Sequence, residues 1–218
     1  YKQALKIKPD YADSHNNIGL TLKNKGNLEG SINSYKQALK IKPDYAEAYY
    51  NLANSQKEKG DLELAVHSYK QALKFKPNYA KAHNNMGTVF KDRGDLKGAI
   101  ESYKKAIDIN PGYAEAYNNM GSAFNSEGKL EAAIENYKKA LKISPEHAET
   151  HFNMGSALQD KGDLSAALDS YEKALAFKAN FAEAYNNIGA ACHDKGDLEP
   201  AIDSYKKALK INPNYAEA

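Results

Sequence analysis

The chain repeats itself every 34 residues. The segments 11–44, 45–78, 79–112, 113–146, 147–180 and 181–214 align with one another without insertion or deletion. A fixed period in this range means that each unit is one supersecondary element unable to bury its apolar face alone, so neighbours must stack into a solenoid. The working surface of such an array is an extended wall rather than a single pocket. Residues 1–10 match 35–44, and 215–218 match the opening of a further unit. With no initiator Met and no polar terminal cap, the sequence reads as a single array, 1–218, cut from a longer one.

Within a unit, His15, Ile18, Gly19 and Leu22 share one face of a 3.6-residue helix, and Leu28, Ile32, Tyr35, Ala38 and Leu39 share a second. Between them stands Gly26, repeated as Gly60, Gly94, Gly128, Gly162 and Gly196, where glycine supplies the left-handed residue that closes a helix. Asn27, Asp61, Asp95, Asp163 and Asp197 follow as N-caps of the second helix, and Lys129 breaks the series. Pro43, Pro77, Pro111, Pro145 and Pro213, with Pro9 before them, end each second helix. Ala179 takes that place in the fifth unit, which predicts a looser joint there. Pro200 falls in a first turn, where it is tolerated. The spacing of Asp44 and Glu47 resembles a capping box for the next first helix. The predicted fold is all-α, an α-α superhelix (solenoid) of tandem 34-residue helix-turn-helix units.

His83, Met86, Gly87, Phe90, Ala99, Tyr103, Ala106 and Pro111 carry this pattern in the third unit, and with them the chain resembles the tetratricopeptide repeat. The resemblance covers essentially the whole sequence. It implies a right-handed superhelix whose first helices line a concave groove and bind protein segments; the fold alone does not name the ligand.

One polar residue never varies: Asn17, Asn51, Asn85, Asn119, Asn153 and Asn187 occupy the same place in all six first helices. Asparagine is a poor helix former, so its recurrence needs a reason. Its amide offers a donor and an acceptor, matching the N–H and C=O of an extended peptide. Packed helices lie roughly 8–10 Å apart and an extended chain rises about 3.3 Å per residue, so one Asn per unit meets a peptide backbone about every third residue. A similar Asn ladder lines the arrays of protein O-linked N-acetylglucosamine transferases, which this arrangement resembles. The alternative is that each Asn bonds to the neighbouring unit and sets the stacking, and both roles can coexist.

Around the column, Asp13, Glu47, Glu115, Glu149 and Glu183 share the Asn face four residues earlier, with Lys81 as the only base at that position. Lys23, Lys57 and Lys91 form a rim in the first three units. An acidic groove on a chain of net charge +2 favours a neutral or basic extended peptide; the alternative is that these charges are simply solvated helix faces. Tyr50 and Phe152 replace the Asn found at Asn16, Asn84, Asn118 and Asn186, which makes them candidate ligand-contacting aromatics. The candidate peptide-binding set is therefore the six ladder residues with Tyr50, Asn84, Asn118, Phe152, Lys81 and Glu115.

Other chemistries find little support. No nucleophile–base set or phosphate loop is present, so neither a catalytic residue nor a cofactor is predicted and this chain is not expected to be an enzyme. His147 and His151 lie at i, i+4, but the Glu of a zinc-protease motif is displaced, and no metal is expected. His15, His83 and His151 alternate with Tyr49, Tyr117 and Tyr185 in a packing column. The 16 tyrosines mostly fill two structural columns. The lone Cys192 excludes an intramolecular disulfide. The small net charge and acidic groove argue against nucleic acid. There is no membrane-spanning run or signal pattern, and the expected location is the cytoplasm. The leading expectation is a protein-interaction scaffold holding an extended partner segment. The alternatives are the substrate-recognition arm of a larger transferase, with its catalytic domain beyond Ala218, and an array that self-associates head to tail.

Overall fold

The computed structural model describes residues 11–214. The partial units at 1–10 and 215–218, with Pro9, lie outside the described residues. The chain divides into two compact units, Tyr1–Pro111 and Gly112–Ala218. The first holds three helical hairpins: α1 (Ala12–Asn24) with α2 (Leu28–Ile41), α3 (Ala46–Lys59) with α4 (Leu62–Phe75), and α5 (Ala80–Asp92) with α6 (Leu96–Ile109). The second holds three more: α7 (Ala114–Ser126) with α8 (Leu130–Ile143), α9 (Ala148–Asp160) with α10 (Leu164–Phe177), and α11 (Ala182–Lys195) with α12 (Leu198–Ile211). Every described element is helical, as the 3.6-residue periodicity predicts.

Inside each unit the second helix of a hairpin packs on the first helix of the next: α2 on α3, α4 on α5, α8 on α9 and α10 on α11. The first helices also touch their successors, α1 with α3, α3 with α5, α7 with α9 and α9 with α11. Each unit thus presents a continuous wall of three first helices. That wall is what places the Asn column.

The hairpins close as the turn residues predict. All six turn glycines lie at positive φ, from +72° at Gly128 to +90° at Gly60, a region that costs other residues strain. Asn27, Asp95 and Asp163 cap their helices by accepting from the backbone N–H three residues on. Asp61 and Asp197 do not; their carboxylates turn to Lys59 and Lys195 at 3.7 and 3.6 Å instead. Lys129 makes no cap and pairs with Glu127.

One expectation is corrected and another is met in part. The residue at the N-cap of α3 is Tyr45, not Asp44, and it makes no side-chain cap; Glu47 is drawn to Lys76 rather than back along its own helix. At Ala179 the exit of the second helix is unchanged, but the turn found at the other described joints is reduced to a bend. Lys178 ahead of it has φ −138° and ψ 82°, matching −138° and 80° at Lys76 before Pro77. The Lys178 N–H still bonds to the Ala174 carbonyl, so the terminating hydrogen bond, not the proline ring, sets the exit.

The core of a hairpin is a tyrosine seated over a glycine. Tyr35, Tyr69, Tyr103 and Tyr171 are fully buried and Tyr137 nearly so. A Cβ at Gly155 would lie 2.6 Å from the Tyr171 ring, and one at Gly121 2.7 Å from that of Tyr137. Glycine therefore admits the ring into the partner helix. Beside it the buried alanines Ala38, Ala72, Ala106, Ala140, Ala174 and Ala208 keep the two helix axes close.

Candidate functional site

Each ladder asparagine sits mid-helix at the edge of the buried face, and the amides of Asn51, Asn85, Asn153 and Asn187 reach back to the preceding hairpin. In the first unit, Asn51 Nδ2 donates to Asn16 Oδ1 at 3.0 Å. Asn85 Nδ2 donates to Asn54 Oδ1 at 2.9 Å and to the Tyr50 hydroxyl at 3.1 Å, and the Asn84 amide lies 3.3 Å from Asn85 Oδ1. In the second unit, Asn153 Nδ2 donates to Asn118 Oδ1 at 3.1 Å, and Asn187 Nδ2 donates to the Tyr171 hydroxyl at 3.2 Å. The stacking role raised by the sequence is thus present in the hydrogen bonds. It uses the amide N–H2 group.

The carbonyl half is a separate matter. Among the described residues, the Oδ1 atoms of Asn51, Asn153 and Asn187 accept no hydrogen bond, and all three side chains are half-buried rather than enclosed. Fixing Nδ2 fixes where Oδ1 points. Half of each amide is structural, and the other half is a pre-oriented acceptor on the wall. Asn17 is half-buried and Asn119 lines a cleft described below.

Tyr50 and Phe152 do not stand clear of the wall. The Tyr50 ring packs on Tyr79 with centroids 4.8 Å apart, and Phe152 packs on Phe181 at the same distance. Both therefore fill the joint between their hairpin and the next. Burial holds the Tyr79 phenol up to about 12. Lys81, Glu115 and Glu149 are exposed on the first helices. Lys23 of the predicted rim pairs with Glu58 across α1 and α3 at 3.2 Å.

The joints share a second motif. Lys42, Lys76 and Lys178, the residues closing α2, α4 and α10, lay their ammonium groups over the rings of Tyr45, Tyr79 and Phe181 at 4.8, 4.5 and 4.1 Å. Lys76 also contacts Glu47 Oε1 at 2.8 Å, and this bond holds the Glu47 carboxyl below its usual range. Between the fourth and fifth hairpins the matching positions are Ser144 and His147, and a cleft of about 570 Å³ opens there. Glu115, Asn118, Asn119, Glu149 and Thr150 line it, with no Lys or Arg among the described residues that do. Asn118 Oδ1 is occupied by Asn153 and by the Thr150 hydroxyl at 3.1 Å. Sequence reasoning passed over Ser144 and weighed His147 only as a metal ligand. The signal was a break in two columns of the repeat.

Three histidines are held by local hydrogen bonds. His83 and His151 bond through Nε2 to the carbonyls of Pro77 and Pro145 at 3.1 and 2.8 Å, and His147 Nδ1 is taken by Thr150. The described residues hold no cluster of three or more His, Cys, Asp or Glu able to bind a metal. None of the described helices is long and apolar enough to cross a membrane.

A family model described as TPR repeat matches residues 1–26, 21–60, 54–92, 87–125, 121–162 and 155–196, and one described as tetratricopeptide repeat matches 182–215. No curated protein matches the chain. Among solved structures, a crystal structure of MamA is 31% identical with a TM-score of 0.69, over 77% of this chain and 98% of that one. YrrB, described as a TPR protein with an unusual peptide-binding site, is 23% identical with a TM-score of 0.67, over 84% and 94%. Pseudomonas aeruginosa pilF is 20% identical with a TM-score of 0.82, over 94% of each chain. The last two likenesses speak for the fold alone.

Proposed function

The chain belongs to the tetratricopeptide repeat family, and on that premise we propose that it binds an extended segment of a partner protein along its wall of first helices, held by the Asn column. Tetratricopeptide hairpins act as protein-interaction scaffolds. The described residues consist of such hairpins throughout, with no element left over to house a catalytic domain.

The observation that carries the finer reading is the division of labour within each amide. Asn51, Asn153 and Asn187 spend their N–H2 groups on the preceding hairpin or on Tyr171 and keep Oδ1 open. A row of fixed acceptors suits the backbone N–H groups of an extended chain, whose side chains then matter little to the contact. Preorganisation lowers the entropy lost on binding. YrrB, a protein of the same fold, is described as having a peptide-binding site. Acidic residues on the wall favour a neutral to basic segment.

The test separates the two halves of the amide. Fluorescence anisotropy is measured with Ala/Ser/Val nonapeptides carrying one lysine, against the native chain and the Asn51→Ala, Asn153→Ala and Asn51→Asp, Asn153→Asp double variants. Aspartate keeps an acceptor and removes the stacking donor. The alanine pair is expected to weaken binding at least tenfold, about 1.4 kcal/mol for two backbone contacts, and the aspartate pair less. Undiminished binding by a folded alanine pair would refute the ladder.

A further inference from the structure

We propose that the open face of the sixth hairpin docks α1 of a second copy of this chain, remaking between copies the joint that adjoining hairpins make within each unit. The surface lies apart from the groove wall, and the inference does not depend on the peptide reading.

Three contacts recur where a second helix packs on the next first helix. A branched side chain of the second helix is buried, Ile32, Val66 and Ile134 being 6, 6 and 7% exposed. A carboxylate in its first turn meets a cation at the close of the next first helix. These pairs are Glu29 with Lys59 at 3.1 Å, Glu63 with Arg93 at 2.6 Å and Glu131 with Lys161 at 3.3 Å. The ladder amide also donates to an asparagine oxygen one hairpin earlier, Asn51 to Asn16 at 3.0 Å and Asn153 to Asn118 at 3.1 Å.

The sixth hairpin carries one half of each contact without the other. Ile202 and Leu198 of α12 are 47 and 58% exposed. Glu199 is exposed and forms no ion pair among the described residues. Asn186 is buried, yet its Oδ1 accepts no hydrogen bond. A buried acceptor left without a donor is costly, so this face gains from a partner that supplies one.

The first hairpin carries the missing halves. Thr21 on α1 is exposed, whereas Ser55, Val89, Ala123, Ala157 and Ala191 at the same place are fully buried. Lys25 is exposed without an ion pair, and the Asn17 side chain forms no hydrogen bond among the described residues. The register of the repeat matches the two sets one to one. Asn17 stands to Asn186 as Asn51 stands to Asn16, and Lys25 to Glu199 as Lys59 to Glu29. Thr21 stands to Ala201, beside Ile202, as Ser55 stands to Ser31, beside Ile32. Residues 1–10 correspond in sequence to 205–214, so they carry no equivalent of Leu198, Glu199 or Ile202. Because the two faces differ, the contact is heterologous and adds chains in a row rather than closing on a dimer.

The experiment is sedimentation equilibrium of the whole chain, from micromolar to near-millimolar concentration, at low and moderate salt. The weight-average mass should rise from that of one chain past that of two without levelling. Thr21→Glu blocks one face and Ile202→Glu the other; both positions are exposed, and thermal melting checks that both variants fold. Each variant alone should stay monomeric. Mixed in equal amounts they should form a dimer and nothing larger, because one intact pair of faces remains. Lys25→Glu or Glu199→Lys should weaken association several-fold, most at low salt, and the two changes in one chain should restore it. A native chain that stays monomeric, a mass that levels at a dimer, a blocked variant that associates alone, or a mixture that stays monomeric overturns the proposal.

Discussion

Tyr171 joins the core to the ladder, and its two halves can be separated by mutation. Its ring is fully buried over Gly155 and packs on Phe152 with centroids 5.7 Å apart. Its hydroxyl donates to Gln159 Oε1 at 2.8 Å and accepts from Asn187 Nδ2 at 3.2 Å. Tyr171→Phe keeps the ring and deletes the hydroxyl, at a cost of about 1–2 kcal/mol: one net hydrogen bond, plus a polar partner left partly unsatisfied. Tyr171→Ala also empties the ring site, which adds about 3–5 kcal/mol. Because hairpins interact mainly with their neighbours, the loss should concentrate in α9 and α10. Urea unfolding gives the totals, and amide hydrogen exchange locates them. In the phenylalanine variant the Asn187 side-chain amide signals should move while backbone protection in α9 persists. Equal losses for the two variants would refute the assignment of the larger share to ring packing. Unmoved Asn187 signals would refute the link to the ladder.

Two further predictions concern one joint and one hairpin turn. Burial depresses the His83 pKa against a smaller opposing contribution from its bond to the Pro77 carbonyl, and its Nδ1 is buried without a partner. The unfolded chain therefore takes up this proton more readily, so the stabilising contribution is complete above about pH 6.5 and is lost as pH falls through that value toward the depressed one. Urea midpoints at pH 7.5 and pH 5 should differ less in His83→Gln than in the native chain. Lys129→Asn should raise stability by about 0.5–1 kcal/mol by giving α8 the cap that α2, α6 and α10 have, measured as an increase in melting temperature.

The helices, turns and core were legible because each depends on a residue repeated in phase: Gly60 at positive φ, Tyr69 in the core, Ala72 beside it. Local chemistry and tertiary packing agree at those columns. The first-helix caps were misread because the N-cap position is an aromatic, Tyr45, whose worth lies in packing at the joint rather than in its own helix. The division of the Asn amide was not legible at all. Which end of Asn51 meets Asn16 depends on the separation of two helices 35 residues apart, and no local pattern encodes it. The cleft could have been found, since Ser144 and His147 both depart from their columns. A break in a repeat carries as much information as the repeat, once the structure shows what the unbroken version does.

The helix contacts within each unit have a consequence for how such a chain changes over generations. α4 meets α5 and α10 meets α11, but α2 meets no helix of the third hairpin and α8 none of the sixth. A joint is therefore a separable inheritance: the exchange of Lys for Ser and of an aromatic for His at the fourth joint leaves the lysine-over-ring seat at the fifth intact. Duplication of 34 residues copies a joint whole, and three or four substitutions rewrite its packing without disturbing the others. The array can therefore change one joint at a time while the tyrosine-over-glycine cores of the hairpins stay as they are.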